Sequence, residues 1–147
     1  MKGTIKPFRY KLPPRPPKQP LNRIKVTNEG ERLTGFVHGK EASELEERFA
    51  RALDAAQKNY SFEVEIQGPT TVPGQENQID FVVDDIYPVE VDGTWIHKSA
   101  SQKANDALRD AVLNNYLKKY GWYPIERVTG EKLETQEQAD QIVREMF

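Results

Sequence analysis

Two short stretches, Gln78-Ile79-Asp80-Phe81-Val82-Val83 and Pro88-Val89-Glu90-Val91-Asp92-Gly93, alternate apolar and acidic residues on either side of Asp84-Asp85. Successive side chains of a strand point to opposite faces, so the pattern predicts two neighbouring strands joined by a turn. Ile79, Phe81 and Val83 would share one face with Asp80 opposite, and Val89 and Val91 would share a face with Glu90 and Asp92 opposite. With the apolar faces together, three carboxylates gather on one side of the sheet. Such a cluster repels itself unless a cation compensates it. A hard divalent ion such as Mg²⁺, which takes oxygen ligands, is the natural candidate.

The flanking sequence supplies the rest of a fold. Leu45, Phe49, Leu53 and Ala56 recur at helical spacing and predict a helix over Glu41 to Lys58. Ser61 to Ile66 alternates as a strand, and Gly68-Pro69 with Pro73-Gly74 marks the loop after it. Beyond the acidic strands, Ser99 or Ser101 caps a second helix to about Lys119, with Ala104, Leu108, Ala111, Val112 and Tyr116 on its inward stripe. Gly121 ends that helix, and Trp122 to Val128 reads as a last strand. Thr135 caps a final helix with Ala139, Ile142, Val143 and Met146 facing inward. The order α-β-β-β-α-β-α predicts an α/β domain with a mixed central sheet flanked by helices. No internal repeat interrupts it.

The 147 residues suit one domain with a sizeable core. There is no cysteine, which excludes disulfides, thiolate metal sites and cysteine nucleophiles. His38 and His97 are the only histidines, too few for a histidine-rich metal site. No apolar run approaches a membrane span, and a cytoplasmic protein is the expectation.

Charge divides the chain more sharply than its net value of −2 suggests. Residues 1–26 hold eight Lys and Arg and no Asp or Glu, which leaves 13 basic against 23 acidic side chains in the remainder. The same region holds Pro7, Pro13, Pro14, Pro16, Pro17 and Pro20. An extended, proline-rich basic arm is therefore expected over residues 1–35, ahead of a folded domain over 36–147. Leu12-Pro13-Pro14-Arg15-Pro16-Pro17-Lys18 favours polyproline II or no fixed structure. The arm could contact nucleic-acid phosphates, dock on a protein partner, fold against the acidic body or act as a tether.

Five pieces, in order, carry a family resemblance: Ser43-Glu44-Leu45-Glu46-Glu47-Arg48-Phe49, Ile79-Asp80-Phe81-Val82-Val83, Glu90-Val91-Asp92-Gly93-Thr94-Trp95-Ile96-His97, Asp106-Ala107-Leu108-Arg109-Asp110 and Tyr120-Gly121-Trp122-Tyr123-Pro124-Ile125. From Ser43 to Val128 the chain resembles the PD-(D/E)XK, or restriction-endonuclease-like, nucleases. It looks most like the branch of the very-short-patch-repair endonucleases and their bacterial and phage relatives. The resemblance implies metal-dependent hydrolysis of a DNA phosphodiester, as endonuclease or nickase, with Mg²⁺ as cofactor and Mn²⁺ able to substitute. It implies Asp80 as central metal ligand, Glu90 as the second, and Glu46 completing or orienting the metal shell, with Glu47 and Glu44 as alternatives. By the same resemblance His97 acts as general base, water positioner or leaving-group acid. Asp106 would orient His97, and Arg109 would contact the scissile phosphate.

The chain departs from the family pattern twice. Ile79 stands where a proline precedes the first acid, and Asp92 stands where a lysine usually follows the second. Lys98 or Lys103 is the candidate to replace that lysine from a neighbouring element. Simpler readings stand beside these. Asp80 and Glu90 fit an ordinary solvated sheet face, Asp92-Gly93 a turn, Glu46 a solvated helix face, and Asp106 with Arg109 a surface pair. Trp95 and Trp122 read as packing residues and His38 as a loop residue. A catalytically degenerate nuclease-fold module, binding DNA or assembling with a phage or mobile-element complex, is the main competitor to an enzyme. An RNA substrate is the other.

Overall fold

The computed structural model describes residues 25–26, 31–66 and 77–147. Residues 1–24 of the expected arm, residues 27–30, and the loop signals at Gly68-Pro69 and Pro73-Gly74 lie outside the described residues. Residues 31–35 pack on the body: Leu33 is buried, and Glu31 pairs with the buried Arg48 at 2.9 Å.

Two small antiparallel hairpins come first, β1 (Lys25–Val26) with β2 (Arg32–Leu33) and β3 (Phe36–Val37) with β4 (Lys40–Glu41). His38 and Gly39 make the second turn, both at positive φ. The first helix, α1 (Glu44–Ala55), is shorter than the periodicity predicts because its ends are set by capping. The Ser43 side chain accepts from the Glu46 amide, while the Glu46 carboxylate accepts from the Ser43 amide. Gln57, at φ 57°, turns the chain out of the helix. The other helices, α2 (Ala100–Lys118) and α3 (Gln136–Met146), begin with the same reciprocal box, Ser99 with Gln102 and Thr135 with Gln138.

The central sheet runs β5 (Tyr60–Ile66), β6 (Asn77–Val83), β7 (Tyr87–Asp92) and β8 (Glu126–Thr129), in that spatial order. Neighbours are antiparallel up to β7, and β7 and β8 are parallel, joined through α2. The domain is thus mixed α/β, with a four-stranded mixed sheet and three helices. Asp84 and Asp85, both at positive φ, form the predicted turn between β6 and β7. The predicted strand from Trp122 to Val128 is realised only at its end. Gly121, at φ 84°, and Trp122, whose amide bonds to the Leu117 carbonyl, still terminate α2, and Pro124 has no amide to give a ladder.

One sheet face meets α1 and α3. Phe49 and Leu53 of α1 and Ala139 and Val143 of α3 close over Phe62, Phe81, Val83, Val89 and Val128. The ring of Phe49 meets that of Phe81 edge-on at 5.0 Å. The two helices run in the same direction. The Gln136 side chain at the start of α3 donates to the Arg48 carbonyl, and Lys58, just past α1, lies over the Phe147 ring. A second cluster joins Val64, Ile66, Ile79 and Val82 to Leu117 and Trp122. Ile79 therefore does not share the packing of Phe81 and Val83, contrary to the simple alternation. The β5–β6 ladder omits the Glu63–Asp80 pair, and Glu63 has φ 53°. A left-handed residue bends the strand at that step, so the segments on its two sides pack differently.

Glu47 ties the second hairpin to α1. Its buried carboxylate accepts from the Thr34 amide (2.8 Å), the Thr34 hydroxyl (3.0 Å), the Gly35 amide (2.6 Å) and Arg51 (3.0 Å). Glu47→Ala would strand two backbone donors, so it is expected to cost about 2 kcal/mol. Urea unfolding measures this, and hydrogen exchange should quicken first at Thr34 and Gly35. Unchanged exchange at these two amides would refute the anchoring role.

Candidate functional site

The other sheet face carries the acids, and the strand register explains why they meet. Phe81 pairs with Val89 across the antiparallel β6–β7 ladder, and one further step sets Asp80 opposite Glu90. In the parallel β7–β8 pair, Glu90 lies beside Arg127 and Asp92 beside Thr129. Val89 is in the core and Val91 packs against it, so Glu90 and Asp92 point the other way, as the alternation predicts. Both are buried, at 8% and 7% exposure, because α2 lies over them.

Asp80 and Glu90 form the first half of the site. Their carboxyls face each other across the two strands, and the Val91 amide donates to Asp80 Oδ2 at 2.8 Å. Burial and then the neighbouring Glu90 charge push the Asp80 pKa up to about 7, against the pull of the Val91 amide and Arg109. Below neutral pH the Asp80 carboxyl therefore stays largely protonated. Arg109 of α2 donates to Glu90 Oε1 at 2.9 Å and to the Gln78 carbonyl at 2.6 Å, which bridges the helix to both acidic strands.

Asp92 forms the second half, with cations around it. Its Oδ2 accepts from Lys98 at 2.8 Å and from Arg127 at 3.2 Å, and its Oδ1 accepts from the Thr94 amide and hydroxyl at 3.1 Å. Burial alone would raise the Asp92 pKa, but the bonds from Lys98 and Thr94 outweigh it and hold the carboxyl below the usual range. Lys98 also reaches Asp106 at 2.5 Å, and Arg127 reaches Asp110 at 2.7 Å. Burial disfavours the Lys98 charge, and its two carboxylate partners more than restore it. The Trp95 ring lies under all these cations, with Lys98 at 5.8 Å, Lys103 at 5.2 Å and Arg127 at 5.3 Å from its centroid.

Part of the positive charge that the acidic face needs therefore comes from the chain itself. Asp92 turns to Lys98 and Arg127, away from the Asp80–Glu90 pair. Among the described residues, no three His, Cys, Asp or Glu side chains are grouped to hold a metal ion together. Glu46 is not brought to the pair as a third ligand, and one of its oxygens is committed to the Ser43 amide. Of its alternatives, Glu47 is held by the Thr34–Gly35 turn, and Glu44 pairs with Arg48 at 3.6 Å on the helix surface. His97 sits exposed at the end of a short 3-10 turn, Trp95–His97. The carboxylate of Asp106 takes Lys98 and not His97.

Lys98, from the loop before α2, places an ammonium at Asp92, while Lys103 rests against Trp95. The predicted inward stripe of α2 is also corrected. Ala104, Leu108 and Ala111 are exposed, Leu108 at 58%, and the side toward the sheet carries Lys103, Asp106, Asp110, Leu113 and Leu117. Those five residues are spaced three and four apart, so the signal was present in the sequence. Three of them are charged, and charge on a helix ordinarily marks its solvent side, which hides the stripe. Arg127 was missed for another reason, since only the parallel register sets it beside Glu90.

Five carboxyls (Asp80, Glu90, Asp92, Asp106, Asp110) face three cations (Lys98, Arg109, Arg127) in one connected network. With all groups ionised the network is short of positive charge, and the deficit falls at Asp80 and Glu90. A hard dication suits this donor set, because two facing carboxylates offer oxygen ligands and Asp80 can release its proton to make room for the ion. Comparison with known protein families, with curated proteins and with solved structures finds no match to this chain.

Proposed function

We propose that this protein is a divalent-metal-dependent DNA endonuclease or nickase, acting at Asp80 and Glu90. The carrying observation is that these two carboxyls face each other across neighbouring strands, where burial and the Glu90 charge push the Asp80 pKa up to about 7. In this reading they hold Mg²⁺, or Mn²⁺ in its place. The ion, when bound, offsets the phosphodiester charge and makes a water more acidic. The element order and the mixed four-stranded sheet are of the kind that the resemblance to restriction-endonuclease-like nucleases implies. Lys98 supplies an ammonium at the strand position where Asp92 replaces the usual lysine. Its task would be to keep that position cationic, with Asp106 holding the ammonium in place. Exposed His97, two residues from Trp95, would take the role of general base, water positioner or leaving-group acid. The basic residues of the arm would add phosphate contacts to an otherwise acidic body.

One observation favours a second reading. Asp92, Asp106 and Asp110 are each paired with a cation, which is also how an ion-pair network would clamp α2 onto the sheet. A degenerate nuclease-fold module that binds DNA or a protein complex would keep that clamp without cutting.

A plasmid-nicking assay with Mg²⁺ or Mn²⁺ separates the two. The wild type is expected to nick, and Asp80→Ala and Glu90→Ala to abolish nicking. Equal residual cleavage in all three proteins would sink the enzymatic reading. No cleavage by the wild type, together with no Mn²⁺ binding by calorimetry, would select the module.

A further inference from the structure

On the opposite face of the sheet from the acidic network lies an open groove of about 490 Å³ between β7, the segment before β8, and the end of α3. Its floor is aromatic. Tyr87 and Tyr123 stack with ring centroids 4.4 Å apart and planes 15° apart, and Phe147 meets Tyr87 edge-on at 5.5 Å. Tyr123 is half exposed. Glu126 and Glu145 line the groove and are exposed, and neither makes an ion pair among the described residues.

We propose that this groove binds the chain's own proline-rich segment, Leu12 to Lys18, in an intramolecular contact. The chemistry of groove and segment is complementary. A polyproline II strand makes no internal hydrogen bonds, so its carbonyls are open to the Tyr87 and Tyr123 hydroxyls. Its proline rings lie flat on aromatic faces at little entropic cost, which is the usual mode of recognition of such strands. Leu12-Pro13-Pro14-Arg15-Pro16-Pro17-Lys18 brings four prolines and two cations and no acid. Arg15 and Lys18 then answer Glu126 and Glu145. A neutral proline-rich strand would leave both carboxylates unmatched.

The lengths permit it. Glu31 binds Arg48, and Arg48 adjoins Gln136 at the start of α3, which places the first hairpin at that end of the helix. The groove is at the other end, beside Met146 and Phe147. Eleven helical residues rise about 16 Å. The seven steps from Lys18 to Lys25 of β1 span about 22 Å as polyproline II.

The chain has no cysteine, so Gln19→Cys gives one site for a nitroxide label on the full-length protein. The expected result is at least a twofold loss of amide signal at Tyr87, Tyr123 and Glu145 in the oxidised state. The charge-reversed variant Glu126→Lys/Glu145→Lys should restore those signals, and Tyr123→Ala should do so without changing any charge. Both acids are exposed, so the reversed protein should keep its fold. Losses confined to another face, or none, would overturn the proposal, as would losses that persist in both variants. Losses that appear only between labelled and unlabelled copies in a mixture would assign the groove to a second chain and equally overturn it.

Discussion

Unfolding of the full-length chain without metal is expected at a temperature on the order of 10 °C lower at pH 8.5 than at pH 5. The cause is Asp80, whose pKa rises from 3.8 to about 7 on folding. A group with a raised folded pKa adds stability that is complete below the unfolded value and is lost as pH rises through the folded one. Between about pH 4 and 7 the folded chain holds a proton that the unfolded chain has released. At roughly 1.4 kcal/mol per unit, the loss is on the order of 2–4 kcal/mol. Asp80→Asn keeps the hydrogen-bonding shape without the charge, so its unfolding temperature should lack most of this dependence. An equal pH dependence in Asp80→Asn would show that other groups cause it.

Mn²⁺ should act on the same pair. A dication displaces the Asp80 proton, so its affinity is expected to rise about tenfold per pH unit up to pH 7 and to level above it. At pH 8.5 it should recover the stability lost in its absence. Calorimetry at three pH values checks the affinity directly. A pH-independent affinity would place the ion elsewhere.

Arg127→Met is expected to destabilise the domain by about 2–3 kcal/mol at pH 7. Arg127 bonds Asp92 and Asp110 at once, and removing it leaves a buried carboxylate with Lys98 as its remaining cation. Methionine keeps much of the packing against Trp95, so the loss reads the charge and not the volume. Arg127→Met/Asp110→Leu should recover part of it, because an apolar pair can replace an ion pair when both partners go. Urea unfolding of the three proteins tests this. A loss under about 1 kcal/mol for Arg127→Met would mean that the pairs behave as solvated surface bridges.

The elements that follow from local physics were legible without coordinates. The Asp84-Asp85 turn, the opposed faces of β7 and the inward Ala139, Ile142, Val143 and Met146 of α3 depend on residues a few positions apart. Helix ends were less legible, since Ser43-Glu44-Leu45-Glu46 fits both a capping box and a nuclease helix motif. In the structure it forms the box, which occupies one oxygen of Glu46.

By itself, the sequence determined that acids would line one side of β7 and that this face would need positive charge. Side-chain alternation is a property of the strand alone. Only the tertiary structure decided which cations arrive. Arg127 comes by the parallel pairing of β8, Arg109 by the polar side that α2 lays on the sheet, and Lys98 by the loop before that helix. The Lys98 contact with Asp92 spans six residues, but those of Arg109 with Glu90 and Arg127 with Asp92 span 19 and 35, and no local periodicity encodes these. They divide the acids into an Asp92 held as a carboxylate by Lys98 and Arg127, and an Asp80–Glu90 pair still one proton, or one cation, short.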